Sequence, residues 1–328
     1  MHMHHHHRDA DEIIPGLRAF DQGIYGLDAR YTRQEFDAIH LIVEKGRVAV
    51  IDTGTQYSVP HVLDALKALG LGPDAVDFIV LTHVHLDHAG GAGALLQHCP
   101  QAKVTVHPRG ARHMVDPSKL WEAVCQVYSP EVAQRDYGGL TPIDSARIIE
   151  TPEGSEISLA GRRIVFWDAP GHAKHHVFIV DTQSQSVFTG DTFGISYRDL
   201  DTAQGPYIFA SCTPSQFDPQ AMKASITRVM QSAPRAVYLT HYAELRTVQE
   251  AGQFLLGQID RYVEIARRHA DKGTNRARAI EADLQGLMFA EARAQGVSLS
   301  DTELRRLLNV DLRLNADGLV CYLDGLNP

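Results

Sequence analysis

The chain has 328 residues, 44% of them apolar and 22% charged, with a formal net charge of -9, enough to bury one large core plus a smaller appendage. The acidic balance disfavours nucleic acid as a partner, and the longest apolar runs fall well short of the roughly 18 residues that span a bilayer, so no membrane segment is expected. The four cysteines, Cys99, Cys125, Cys212 and Cys321, form no C-x-x-C pair, which argues against a disulfide framework or a thiolate zinc site and fits a cytoplasmic location.

In chain order, residues 1–12 form a His-rich tail containing His2 and the run His4 to His7, readable as a tag or a native chelating tract; it has no apolar signal-peptide core. Short β-branched runs bounded by turn residues predict strands at 39–43, 48–51, 78–81, 104–106, 164–167, 177–180, 187–188 and 237–239. Helical patterns lie between some of them, at 59–69, 89–98 and 216–230. This mixture predicts a layered α/β catalytic domain over 13–245, with its chemistry at strand ends. Beyond residue 245 the pattern changes to three amphipathic helices, at 248–270, 276–294 and 302–312, giving an all-helical extension over 246–328.

The strand at 78–81 runs directly into Thr82-His83-Val84-His85-Leu86-Asp87-His88-Ala89-Gly90-Gly91. Imidazole and carboxylate groups suit zinc, manganese or iron. On an extended loop, His83 and His85 can point toward one ion while Asp87 and His88 turn toward a second. Four ligands cannot complete two coordination spheres, so further ligands are required from elsewhere. Three other strand ends offer them: His172 after Gly171, Asp191 in Thr189-Gly190-Asp191, and His241 in Leu239-Thr240-His241.

This ordered set, together with Ile51-Asp52-Thr53-Gly54, resembles the metallo-β-lactamase superfamily over about residues 13–245. The resemblance implies a four-layer αββα sandwich holding two divalent metal ions, zinc first, with iron or manganese as alternatives. By motif position His83, His85 and His172 would hold one ion, Asp87, His88 and His241 the other, and Asp191 would lie between them. Asp52 would support the ligand loop, although a turn-forming role after a strand explains it equally well; His176 would be a supporting partner of the same kind. The remaining histidines, His40 among them, belong to no ligand pattern.

Two such ions would make hydroxide available near neutral pH and polarise a carbonyl, which points to hydrolysis. The expected substrate is a small acyl compound: a carboxylic thioester such as an acyl-coenzyme A or glutathione thioester, an ester, or a lactone. Asp87 is expected in the catalytic centre, with Tyr197 and Tyr242 as hydroxyl donors to a developing oxyanion, and Arg198, Tyr207 and Phe209 as pocket residues. The long interval at 121–149 and the helical tail make the layout similar to the alkylquinolone-pathway thioesterase and its hydrolase relatives. That likeness implies helices that roof the site and form a pocket for an acyl or aromatic group, and a homodimer contact through the extension. Two other readings remain: a mononuclear iron persulfide dioxygenase relying on His83, His85 and His172, and a signalling or adaptor protein acting through the tail.

Overall fold

A computed structural model describes residues 12–326; the histidine tract at 2–7 lies outside the described residues. The fold is the four-layer αββα sandwich followed by an all-helical C-terminal region. The chain divides into two compact units, one reaching to Asp168 and including Val177–Thr189, the other comprising Ala169–His176 and everything from Gly190 onward.

The first unit is built on an eight-stranded sheet in simple chain order: β1 (Glu12–Ile14), β2 (Leu17–Ala19), β3 (Ile24–Asp28), β4 (Ala38–Glu44), β5 (Arg47–Ile51), β6 (Val76–Val80), β7 (Lys103–Val106) and β8 (Ile148–Glu150). The pairs from β1 to β5 are antiparallel, whereas β5 to β8 run parallel. Parallel neighbours need a crossover. Helix α1 (Val59–Ala68) supplies the first, α2 (Leu86–Ala89) with α3 (Ala92–His98) the second, and α4 (Pro108–Val115), α5 (Ser118–Tyr128) and α6 (Pro130–Tyr137) the third.

Strand β4 shows why the sheet is central: Ala38 to Ile42 are all buried, on both faces. Alternation is absent there because neither face meets water. Val62, Ala65 and Leu66 of α1 join Ile39, Leu41, Val48, Val50 and Ile79 in one apolar core. The second sheet has the order β16-β15-β12-β11-β10-β9, with β9 (Glu156–Leu159), β10 (Arg162–Asp168), β11 (Val177–Asp181) and β12 (Ser186–Gly190) forming an antiparallel meander.

The second unit contains the short pair β13 (Asp201–Thr202) and β14 (Gly205–Pro206), helix α7 (Pro219–Ser232), the hairpin β15 (Ala236–Leu239) and β16 (Ala243–Leu245), and the helices α8 (Val248–Arg268), α9 (Arg276–Ala294) and α10 (Asp301–Leu326). Helix α7 starts where Asp218 accepts from the amides of Gln220 and Ala221, with Pro219 in the first turn, a capped start.

Every strand and helix expected from the sequence is present to within a few residues, except that the last helix runs to Leu326 rather than stopping at 312. Asn315-Ala316-Asp317-Gly318 resembles a stop signal. It is overridden because Asn315 and Gly318 face inward: the Asn315 amide accepts from Cys212 N at 2.6 Å and donates to Ala210 O at 3.1 Å. A Cβ on Gly318 would stand 1.6 Å from Cys212 O, so this glycine marks a close helix–backbone approach and not a helix end.

Candidate metal centre

In the first unit the ligand loop begins at the carboxyl ends of the parallel strands β5 and β6, the usual position of sites in sheets of this kind. Asp52 directly follows β5 and takes a left-handed backbone, φ 55°, which aims its carboxylate back along the neighbouring loop. Oδ1 accepts from the Thr82 amide at 2.9 Å, and both oxygens lie within 3.0 Å of Thr82 Oγ1. Oδ2 is 2.8 Å from His88 Nδ1. With Nδ1–H donating there, the His88 lone pair sits on Nε2, the atom left for a metal.

Thr82 performs the same service for His83. Its hydroxyl donates to Asp52 and lies 3.1 Å from His83 Nδ1, so it accepts from Nδ1–H and leaves Nε2 as the ligand atom. His83 Nε2 then faces His85 Nδ1 at 3.0 Å. Two imidazole nitrogens approach this closely when they share a cation or a proton. His83 and His88 are fully buried, and the His88 carbonyl is held by Thr53 through N at 2.7 Å and Oγ1 at 2.8 Å. A Cβ on Gly91 would lie 2.7 Å from Thr55 O and 2.8 Å from Thr53 O; a side chain there would push these loops apart.

In the second unit, His172 Nδ1 is 3.3 Å from Ser211 O and 3.4 Å from Thr213 Oγ1; the carbonyl can only accept, so Nδ1–H donates to it and the lone pair sits on Nε2. His172 Nε2 is turned to Asp191 Oδ2 at 3.4 Å, and His241 Nε2 lies 3.6 Å from Asp191 Oδ1. One carboxylate thus presents each oxygen beside a different imidazole. The Asp191 amide donates to His176 Nε2 at 3.2 Å, so His176 orients Asp191 through its backbone. Gly171 has φ 131°, and a Cβ there would meet Met222 Cα at 2.3 Å.

Three groups of side chains have ligand atoms within 4.8 Å of one another and are able to hold a metal ion: His83 with His85 and His172; His83 with His88 and Asp191; Asp87 with His88 and His241. The donor set is nitrogen and carboxylate oxygen throughout, as zinc, iron or manganese accept. All seven residues singled out from the sequence fall in these groups. Thr82 is the contributor that pattern reading left without a role; it stood inside the motif, but only the folded contact with Asp52 shows its use.

A family model described as the metallo-beta-lactamase superfamily matches residues 36–241. The chain belongs to this superfamily. Among curated proteins it is similar to the metallo-beta-lactamase fold-containing protein ST1585 of Sulfurisphaera tokodaii, 30% identical over 172 residues, which are 51% of this chain and 61% of that protein. It is also similar to the acyl-coenzyme A thioesterase MBLAC2 of Gallus gallus, 31% identical over 182 residues, 52% of this chain and 62% of the relative. The match therefore spans 61 to 62% of the length of these curated relatives. The solved structure of ST1585 superimposes with a TM-score of 0.59 at 25% identity, covering 72% of this chain and 86% of that one. A superfamily protein of Thermus thermophilus shares the fold, with a TM-score of 0.61 at 21% identity over 91% of this chain and 95% of the other.

The superfamily member's other expected residues lie in the second unit. Tyr197 is fully buried and donates to Asp311 Oδ1 of α10 at 3.0 Å. The Tyr207 hydroxyl is 3.1 Å from Glu291 Oε2, and its ring stacks on Phe209; burial above all, then Glu291, holds that phenol well above its usual pKa. Arg198 donates through Nη2 to Tyr242 O at 2.9 Å and pairs with Asp201 at 3.5 Å. Tyr242 follows His241 directly and is 3% exposed. In the first unit, the interval at 121–149 contributes Leu140 and Thr141 to an apolar pocket also lined by Leu120 and by Leu86, Ala89 and Gly90 of the ligand loop. No described helix is long and apolar enough to cross a membrane.

Proposed function

We propose that the protein hydrolyses a carboxylic thioester or a related ester at a two-metal centre, with His83, His85 and His172 on one ion, Asp87, His88 and His241 on the other, and Asp191 shared. The observation that carries this reading is the seven-residue donor set. It is supported by likeness to an acyl-coenzyme A thioesterase and, at 27% identity over 153 residues, to a hydroxyacylglutathione hydrolase of Salmonella paratyphi C.

When bound, the divalent ions supply Lewis acidity toward an acyl oxygen and lower the pKa of coordinated water. The chain's own residues make that chemistry specific. Asp52 and Thr82 fix the tautomers of His88 and His83, so two nitrogens are presented without rearrangement. Ser211 O does the same for His172. Asp87, about a quarter exposed, faces solvent more than its neighbours and is placed to accept a proton at the reacting end. A thiolate leaving group needs little protonation, so thioester cleavage requires no dedicated acid. Arg198 and Tyr242, adjacent to His241, are the best-placed of the pocket candidates. Tyr197 is held by Asp311 and Tyr207 by Glu291, with Phe209 stacked on Tyr207, all within the packed interior.

The test is a hydrolysis screen of thioesters, esters, lactones and phosphodiesters on protein of measured metal content. Turnover of a thioester or carboxylic ester that requires metal and is lost in Asp191→Ala is the expected result. Metal-replete protein that turns over none of these would overturn the proposal. One iron per chain with oxygen uptake on glutathione persulfide would identify a dioxygenase in its place.

A further inference from the structure

Of the metal-binding residues in the second unit, His172 is oriented by a backbone group: its Nδ1–H donates to Ser211 O at 3.3 Å. A carbonyl orients a ring only as well as its own peptide is held. Ser211 lies in an irregular segment, between the isolated bridge at Phe209 and the turn that begins at Pro214, so no strand ladder holds it. The hold comes from the helical extension. Asn315 of α10 accepts from the Cys212 amide through Oδ1 at 2.6 Å and donates to Ala210 O through Nδ2 at 3.1 Å. Gln258 of α8 accepts from the Ala210 amide through Oε1 at 2.7 Å.

Both side chains are almost wholly buried, as are Ala210, Ser211, Cys212 and His172. Chemistry fixes the way each amide faces. Turned over, Asn315 would set a donor against the Cys212 N–H and an acceptor against Ala210 O. Gln258 is pinned in the same sense, because its Nε2 donates to Glu291 Oε2 at 2.6 Å and Arg261 holds Glu291 in turn.

The Cys212 N–H and the Ser211 C=O belong to one peptide group. In a planar, trans peptide these two bonds point in opposite directions. Anchoring the N–H on Asn315 therefore aims the carbonyl the other way, at His172. One peptide separates the helix side chain from the metal ligand, in the order Asn315 Oδ1, Cys212 N–H, Ser211 C=O, His172 Nδ1–H. Hydrogen bonds chained in this way polarise one another, so the Asn315 contact also strengthens the acceptor on which His172 relies. Without it, a buried N–H and a buried C=O lose their partner, and the peptide turns to find another.

We propose that Asn315 is a positioning residue for the metal ligand His172, which makes the helical extension part of the metal centre and not only a cover for it. This rests on the two-metal reading, with His172 on the ion that His83 and His85 also hold.

The experiment titrates zinc into metal-free protein against a chromophoric chelator, resolving the affinities of the two ions. His172→Ala and His241→Ala identify which affinity belongs to which ion. Asn315→Leu should weaken the His172 ion by about tenfold or more and leave the His241 ion unchanged. Asn315→Asp, which keeps an acceptor for the Cys212 amide, should stay near wild type. Leu304→Ala, a buried substitution elsewhere in α10, should lower the melting temperature and leave both affinities as they are. Should Asn315→Leu not fold, Asn315→Ala decides by the same selective loss. Equal weakening of both ions, weakening of neither, an Asp variant as impaired as Leu, or the same selective loss in Leu304→Ala would each overturn the proposal. If wild type takes up no zinc, or His172→Ala weakens neither ion, the two-metal reading fails and the proposal with it; a loss in His172→Ala with none in the Asn315 variants overturns the proposal alone.

Discussion

Asp52 shows how much one residue can organise. Its carboxylate holds the Thr82 amide and hydroxyl and His88 Nδ1 at once, so it fixes two ligand-bearing groups without itself being in a metal-binding group. Groups in this position typically contribute 10- to 100-fold to metal affinity. Asp52→Ala should weaken metal binding by about that factor, measured by competition with a chromophoric chelator, while circular dichroism stays close to wild type. Equal affinity in the variant would reduce Asp52 to a turn residue.

Arg162 and Asp181 are a second case at this scale. Both are fully buried, with Arg162 Nε donating to Asp181 Oδ1 at 3.0 Å and Nη1 to Gln22 O at 2.7 Å. Removing one partner leaves an uncompensated buried charge. Arg162→Ala should cost about 3–5 kcal/mol, read from the urea midpoint, whereas replacing both residues by apolar ones should cost less. His40 gives a pH dependence: burial lowers its pKa from 6.5 to about 4, with Asp52 opposing only in part. The unfolded chain therefore takes up this proton first. Stability from the neutral ring is complete above pH 6.5 and declines as pH falls toward 4, by about 3 kcal/mol in all. His40→Gln should flatten that part of the stability profile; an unchanged slope would assign it to other groups.

Among the elements, α10 carries the most unexpected information. Leu304, Leu308, Asp311, Asn315 and Gly318 form one inward face, and its polar members reach Tyr197, Cys212 and Ala210. The helix thus satisfies buried groups of the second unit as well as covering them. Gly318→Ala would place a methyl group against Cys212 O, where backbone and not a flexible side chain must give way. The expected loss is about 1–3 kcal/mol, with a lowered melting temperature as the readout. Ala is otherwise the better helix former by roughly 1 kcal/mol, so a stabilised variant would contradict the close approach.

For the molecule as a whole, the metal groups draw on residues from 83 to 241, a span longer than any single element. Ions that bind only the folded arrangement stabilise it by mass action, about 2.7 kcal/mol at a hundredfold excess over Kd. Chelation should then lower the thermal midpoint by roughly 5–10 °C, reversibly on readdition of zinc, iron or manganese. A midpoint indifferent to chelator, in protein shown to have held metal, would mean that the ions do not require the folded site.

The alternation of short strands and helices, the shift to amphipathic helices after residue 245, and all seven metal-binding candidates were legible in the amino-acid order. Local chemistry suffices for these: strand punctuation, helical periodicity, and donor atoms that only metal binding explains at such density. Contacts between distant segments are not written in any local pattern. Thr82 gained its role only when Asp52 came within 2.9 Å of its amide, and Gly318 became a packing residue instead of a helix end only against Cys212. Tyr197 and Tyr207, which look like pocket residues beside the motifs, are committed to Asp311 and Glu291, over 80 positions away in the chain. Asn315, which reads as part of a helix stop, is set against the segment that holds His172 only by folding.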